Sequence, residues 1–138
     1  MSEKNLKIFC DGGARGNPGP AASAFVVYRD GKQFHKTSKF IGKTTNNVAE
    51  YSAVIMALQW LTEEDIKEMD TISFILDSEL VTKQLNGLYK IKNEKLRQLA
   101  MMAKDLERKI NGRATYTWSP RSKNKVADSL VNKELDEN

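Results

Sequence analysis

Leu6-Lys-Ile-Phe-Cys-Asp-Gly-Gly-Ala-Arg-Gly-Asn-Pro-Gly-Pro20 is the stretch on which the reading of this chain turns. An apolar run (Leu6, Ile8, Phe9, Cys10) leads directly into an acid, Asp11, and then into glycines. This pattern suits a buried strand over residues 5–11 that ends with its acid at the rim of a sheet, within reach of a metal or a substrate. The glycines let backbone approach backbone closely, and Pro18 and Pro20 stiffen the exit. The plainer alternative is that Asp11-Gly12 is only a turn. The rest of the chain has to decide between them.

Downstream, residues 22–29 read as a second strand, and Asp30-Gly31 is a hairpin signal leading to a third at about 33–41. From Thr45 the period changes: Tyr51, Val54, Ile55, Leu58 and Leu61 form an apolar stripe at helical spacing. Thr71 to Leu76 is a β-rich run ending at Asp77. Residues 79–86 read as a short helix stopped by Asn86-Gly87, and Asn93 to Ile110 as a longer one stopped by Asn111-Gly112. Ala114 to Trp118 is a fifth strand, and a last helix covers Asn124 to Leu135. The order β-β-β-α-β-α-α-β-α implies hairpins first and right-handed crossovers later, giving a mixed α/β sheet covered by helices.

Composition narrows the function classes. A chain of 138 residues is read as one domain, residues 1–138, with an ordinary globular balance of apolar and charged residues. No apolar run approaches the ~18–20 residues needed to span a bilayer, and the first residues are polar without a signal-peptide core. A single cysteine, Cys10, excludes an intramolecular disulfide and fits a reducing cytoplasm; in an apolar strand it is packing rather than a nucleophile. The net charge of +4 is compatible with a polyanionic partner. Lys83, Lys90, Lys92, Lys95 and Arg97 form one basic stretch, and Arg113, Arg121, Lys123 and Lys125 a second. Trp60 and Trp118, in a helix and a strand, are read as core, and His35, in the third strand, as a surface residue.

Four acids stand at element ends: Asp11, Glu50, Asp77 and Asp128. If the strands ending at Asp11 and Asp77 are neighbours, a spacing of about 4.8 Å brings the two acids together, at the sheet edge where open α/β folds place ligands. Crowded carboxylates repel unless cations neutralise them, and oxygen ligation suits Mg²⁺ or Mn²⁺. Each acid also has a structural alternative. Asn47-Val-Ala-Glu50 resembles a capping box, Asp77 is placed to cap the helix opened by Ser78, and Asp128 suits the dipole at a helix start.

Taken together, Asp11-Gly-Gly-Ala-Arg-Gly-Asn-Pro-Gly-Pro20, Thr44-Thr-Asn-Asn-Val-Ala-Glu50, Asp77-Ser-Glu-Leu80 and Asn124-Lys-Val-Ala-Asp128 resemble ribonuclease H type 1 in its short prokaryotic form. The resemblance covers nearly the whole chain. It implies a ribonuclease H-like five-stranded mixed sheet flanked by helices on both faces, with the first and fourth strands parallel neighbours. It further implies hydrolysis of the RNA strand of RNA/DNA hybrids by a two-metal-ion mechanism, leaving 5′-phosphate and 3′-hydroxyl ends. Asp11, Glu50, Asp77 and Asp128 would hold two Mg²⁺ ions, with Mn²⁺ as a substitute. The backbone at Gly12 and Gly13, with Glu50 and Asn47, would read the RNA 2′-hydroxyl. Asn17, Thr45 and Asn46 would touch the hybrid, and Asn93, Arg121 and Lys123 are candidate phosphate contacts. For Asn93 a helix cap is the competing role. A cytoplasmic monomer is expected.

The chain also departs from the pattern twice. Asn86-Gly-Leu-Tyr-Lys-Ile-Lys-Asn-Glu94 leaves no room for the tryptophan-bearing basic protrusion of some members. The loop Trp118-Ser-Pro-Arg-Ser-Lys-Asn124 lacks the histidine that many members carry there. Two other readings remain at this point: a hybrid-binding module without activity, and a related nuclease acting on DNA junctions or in a retroelement.

Overall fold

The computed structural model describes residues 4–111 and 113–138. Its strands are β1 (Asn5–Ala14), β2 (Gly19–Arg29), β3 (Lys32–Thr44), β4 (Thr71–Leu76) and β5 (Arg113–Trp118). Its helices are α1 (Asn46–Thr62), α2 (Glu79–Leu85), α3 (Glu94–Arg108) and α4 (Lys125–Glu137), with a 3-10 turn at Arg121–Lys123. The strands form one sheet in the order β3-β2-β1-β4-β5. β1 pairs antiparallel with β2 and parallel with β4, and β4 is parallel to β5. The expected element order and the parallel β1–β4 pair are therefore present.

Local chemistry explains the element boundaries. Asp30 and Gly31 both adopt positive φ (50° and 87°), as the tight β2–β3 hairpin requires. Gly87, at φ 75°, follows the end of α2. α3 ends at Arg108, two residues short of the expected Ile110, and the expected stop at Gly112 lies outside the described residues. β1 runs three residues further than its sequence suggests. Gly12, Gly13 and Ala14 continue the antiparallel ladder against Ser23, Ala22 and Ala21, and the chain reverses only at Arg15–Pro18. The Arg15 N–H donates to the Pro20 carbonyl across that reversal (2.9 Å). The glycines here keep a strand thin where a helix crosses it.

Alternation along β2 divides the core. Phe25 and Val27 join the larger cluster with α1 and α3, whereas Ala22 and Ala24 pack against Val131 and Leu135 of α4. Helices thus cover both faces. α1 lies against β1, β2 and α3, and nine of its residues are buried, so it behaves as a core helix rather than an amphipathic surface one. Among the described residues, no helix is long and apolar enough to cross a membrane.

Two aromatic assignments, Trp118 and His35, are revised, and that of Trp60 to the core holds in part. Trp118 is 45% exposed, because β5 is an edge strand and its last residue leaves the sheet's cover; its indole N–H donates to the Asp77 carbonyl (3.2 Å). Trp60 is partly buried against the larger core cluster. His35 is not a free surface residue: its ring stacks on Trp60 at 4.8 Å and bonds to the Thr37 hydroxyl at 2.7 Å.

Candidate active site

The parallel ladder between β1 and β4 ends at the pair Cys10–Leu76. Asp11 and Asp77 are the next residue on each strand, so they emerge side by side at the carboxyl edge of the central pair. Asp11 stays within the antiparallel ladder, opposite Ala24, which holds its backbone from the other side. Glu50 reaches the same point from the second turn of α1. One ligand oxygen from each of Asp11, Glu50 and Asp77 lies within 4.8 Å of the others.

Gly12 makes this approach feasible. A Cβ on Gly12 would stand 2.2 Å from the Ala49 carbonyl carbon and oxygen and 2.6 Å from the Glu50 nitrogen. The Gly12 N–H donates to Glu50 Oε1 (3.3 Å), and the Ser23 hydroxyl donates to the Ala49 carbonyl (2.7 Å). β1, β2 and α1 are thereby tied together beside the acids. Gly13 is different, since a Cβ there would make only ordinary contact with Val131.

The structure also settles two capping alternatives. Thr45 is the N-cap of α1, its hydroxyl accepting from the Val48 N–H (3.3 Å), so Glu50 closes no capping box. Ser78 caps α2, accepting from the Val81 N–H (3.2 Å), so Asp77 is not needed there. Both acids are left available, and both are largely buried.

Burial and mutual repulsion dominate the electrostatics. Burial first, then Asp77 and Asp128, push the Asp11 carboxyl up to about 8. Glu50 is raised well above its ordinary value by burial and then by Asp11 and Asp77. Burial raises Asp77 too, against the opposing pull of the Arg121 guanidinium. Three acids with suppressed ionisation in one place form a site that gains from a cation.

Asp128 sits in the first turn of α4, one third exposed, and is not part of the 4.8 Å trio. Arg121 links it to the others: its Nε lies 3.8 Å from Asp128 Oδ1 and 3.9 Å from Asp77 Oδ2. Among the described residues, this guanidinium is the one cation within 4 Å of these acids. It occupies the loop where the family pattern often has histidine.

The hybrid-contact candidates gather at the start of α1. Asn17 Oδ1 accepts from the Asn46 N–H (3.0 Å), and Asn46 Oδ1 accepts from the Ala14 N–H (2.8 Å). Each asparagine spends its oxygen on holding the loop to the helix, leaving the NH₂ donors without a partner among the described residues. Asn47 is half-buried and adjoins this network. Asn93 caps α3, accepting from the Leu96 N–H (3.0 Å). Arg121 and Lys123 are exposed on the 3-10 turn.

Four buried side-chain atoms lack a hydrogen-bond partner among the described residues: Asp11 Oδ1, Glu50 Oε2, Asp77 Oδ2 and Asn124 Oδ1. All are oxygens, and three belong to the acid cluster. Orphaned buried acceptors are costly in a folded protein, and an oxygen-only donor set fits a hard divalent cation. The acid cluster is thus compatible with metal binding. In the sequence, Asn124 marks only the start of the last helix; an Asn there is indistinguishable from an ordinary N-cap until its partner is known.

Comparison with known proteins agrees with this geometry. Residues 9–134 match the family described as reverse transcriptase-like. A ribonuclease HI of Halobacterium salinarum is 38% identical over 133 residues, covering 96% of this chain and 65% of the relative. The crystal structure of RNase H1 from that archaeon superposes with a TM-score of 0.90 at 36% identity, covering 97% of this chain and 99% of that one. LC11-RNase H1, solved in complex with an RNA/DNA hybrid, gives a TM-score of 0.88 at 37% identity, covering 96% and 97%. A bifunctional protein of Mycobacterium tuberculosis is 37% identical over 131 residues, and the chain spans 35% of its length. With the sheet order, the acid cluster and these likenesses in agreement, the chain belongs to the ribonuclease H type 1 family.

Proposed function

We infer that this protein is an endonuclease that hydrolyses the RNA strand of RNA/DNA hybrids, leaving 5′-phosphate and 3′-hydroxyl ends, with residues 1–138 forming one ribonuclease H domain. The observation that carries the reading is the buried trio Asp11, Glu50 and Asp77, with orphaned oxygens at the end of the β1–β4 ladder. Asp11, Glu50, Asp77 and Asp128 would hold two Mg²⁺ ions, for which Mn²⁺ would substitute. When bound, such a pair supplies an activated water at neutral pH and stabilises charge on the leaving oxygen.

The chain's own residues place the substrate. The Asn17 and Asn46 amides keep free donors while their oxygens brace the loop, which suits them to contact the hybrid. Asn47, Glu50 and the backbone at Gly12 and Gly13 would read the 2′-hydroxyl, the group that distinguishes RNA from DNA. The Gly12 N–H is already held by Glu50, so Gly12 acts mainly by permitting the approach. Thr45, Asn93, Arg121 and Lys123 would meet phosphates. Function as a cytoplasmic monomer completes the reading.

The test is cleavage of an end-labelled RNA strand paired with DNA, paired with RNA, and alone, with Mg²⁺ or with chelator. Metal-dependent cutting of the hybrid only is expected, and Asp77→Asn should abolish it while leaving the fold intact. Near-normal cutting by that variant would sink the assignment. Tight hybrid binding without cutting under either metal would favour a binding module instead.

A further inference from the structure

Asn124 opens α4 at the N-cap position, where asparagine ordinarily turns its side chain onto its own helix. Here it makes no cap hydrogen bond. Its Nδ2 instead donates to the Cys10 carbonyl (2.9 Å), 114 residues away, at the last rung of the β1–β4 ladder and one residue before Asp11. The side chain is 1% exposed. The bond to Cys10 fixes which end of the amide faces the strand, because a carbonyl needs a donor. The amide oxygen is left buried with no partner among the described residues, as are oxygens of Asp11, Glu50 and Asp77.

An unsatisfied buried acceptor costs free energy that the fold could have avoided with a smaller residue. Burying one beside three acids, which already lack donors, makes sense if a cation or its hydration shell fills the space between them. We propose that Asn124 is a further member of the cation site, contributing a neutral amide oxygen while its NH₂ group locks that oxygen to β1. A neutral donor adds coordination without adding to the repulsion among the acids. It would also couple the start of α4, and so Asp128, to the occupancy of the site, since the Asp128 N–H donates to the Asn124 carbonyl (3.0 Å). The inference rests on the reading of the acids as a divalent-cation site.

The experiment is a calorimetric Mg²⁺ titration of the protein without nucleic acid, on the wild type, Asn124→Ala and Asn124→Asp. Both variants lose the bond to Cys10, but only the second keeps an oxygen. The expected result is binding weaker by about tenfold in Asn124→Ala, as for other groups supporting a metal site, and at least wild-type affinity in Asn124→Asp. If Asn124 merely braces the strand, the two variants will lose stability alike and Asn124→Asp will bind no better than Asn124→Ala; that result overturns the proposal, and it can be read from Asn124→Asp against wild type even if the alanine variant fails to fold. Unchanged affinity in a folded Asn124→Ala overturns it as well. Absence of Mg²⁺ binding by the wild type would remove the underlying site reading, a separately recognisable failure.

Discussion

Asp11 is held where its charge is least welcome. With a folded value near 8 against an ordinary 3.8, the folded protein keeps a proton that the unfolded chain has released. Its contribution favours folding fully below about pH 4 and is lost as the pH rises to about 8. Metal-free protein should therefore lose stability across that window, and Asp11→Asn should recover on the order of 2–3 kcal/mol near pH 8, because one pKa unit corresponds to about 1.4 kcal/mol and the shift is shared among neighbouring acids. Urea melts at several pH values, with and without Mg²⁺, would show it; a flat profile without metal would contradict the electrostatics. The four acids are visible in the sequence as residues at element ends, but their roles are not. Glu50 can be told from a helix-closing residue only once Thr45 is seen capping α1. Asn124 is unreadable there because its partner, Cys10, lies at the other end of the chain.

The strands and helices follow their patterning closely, and the misses have physical causes. Pattern alone cuts β1 short because Gly12-Gly13 reads as a turn, whereas here the missing side chains make room for α1. Gly12→Ala should accordingly cost roughly 3 kcal/mol or more, as backbone must move to relieve the overlap, while Gly13→Ala, where a Cβ would make only ordinary contact with Val131, should cost far less. Denaturant midpoints for the pair provide the contrast, and equal losses would refute it. At the opposite end of the sheet, Asp70 collects the Lys4 and Lys67 N–H groups, both at 2.8 Å, and its carbonyl accepts from the Arg113 N–H at 3.0 Å. Burial alone would raise its carboxyl, but those donors and the Lys4 charge hold it below the ordinary value. That stabilisation is present above about pH 4 and is lost as acid protonates the folded carboxylate, the reverse of the Asp11 case. Asp70→Ala should cost about 1–3 kcal/mol at pH 7, and the deficit relative to wild type should shrink in acid melts. No periodicity marks Asp70, since it lies in the link before β4 and draws its donors from its own approach and from the residue ahead of β1.

At the scale of the whole molecule, the basic residues face solvent without partners where the longer protrusion is missing. Lys90, Lys92 and Lys95 are exposed and make no ion pair among the described residues, whereas Lys83 and Arg97 are engaged by Glu79 and Glu94. If the three lysines grip the hybrid, replacing all of them with serine should weaken binding and flatten the plot of log affinity against log salt by about 0.7–0.9 for each phosphate no longer neutralised. An unchanged slope would place the hybrid elsewhere. The mixed sheet and its covering helices can be anticipated from the chain, and the parallel β1–β4 pair from its resemblance, but which of two tryptophans lies near the acids cannot, because exposure at a sheet edge depends on what covers it. That difference has an optical consequence. Trp60 is packed beneath His35, while Trp118 is half in water with its indole hydrogen on the residue that bears one of the acids. The protein carries its own fluorophore at the site, so Mg²⁺ or hybrid should change its emission, and Trp118→Phe should leave a signal blind to both.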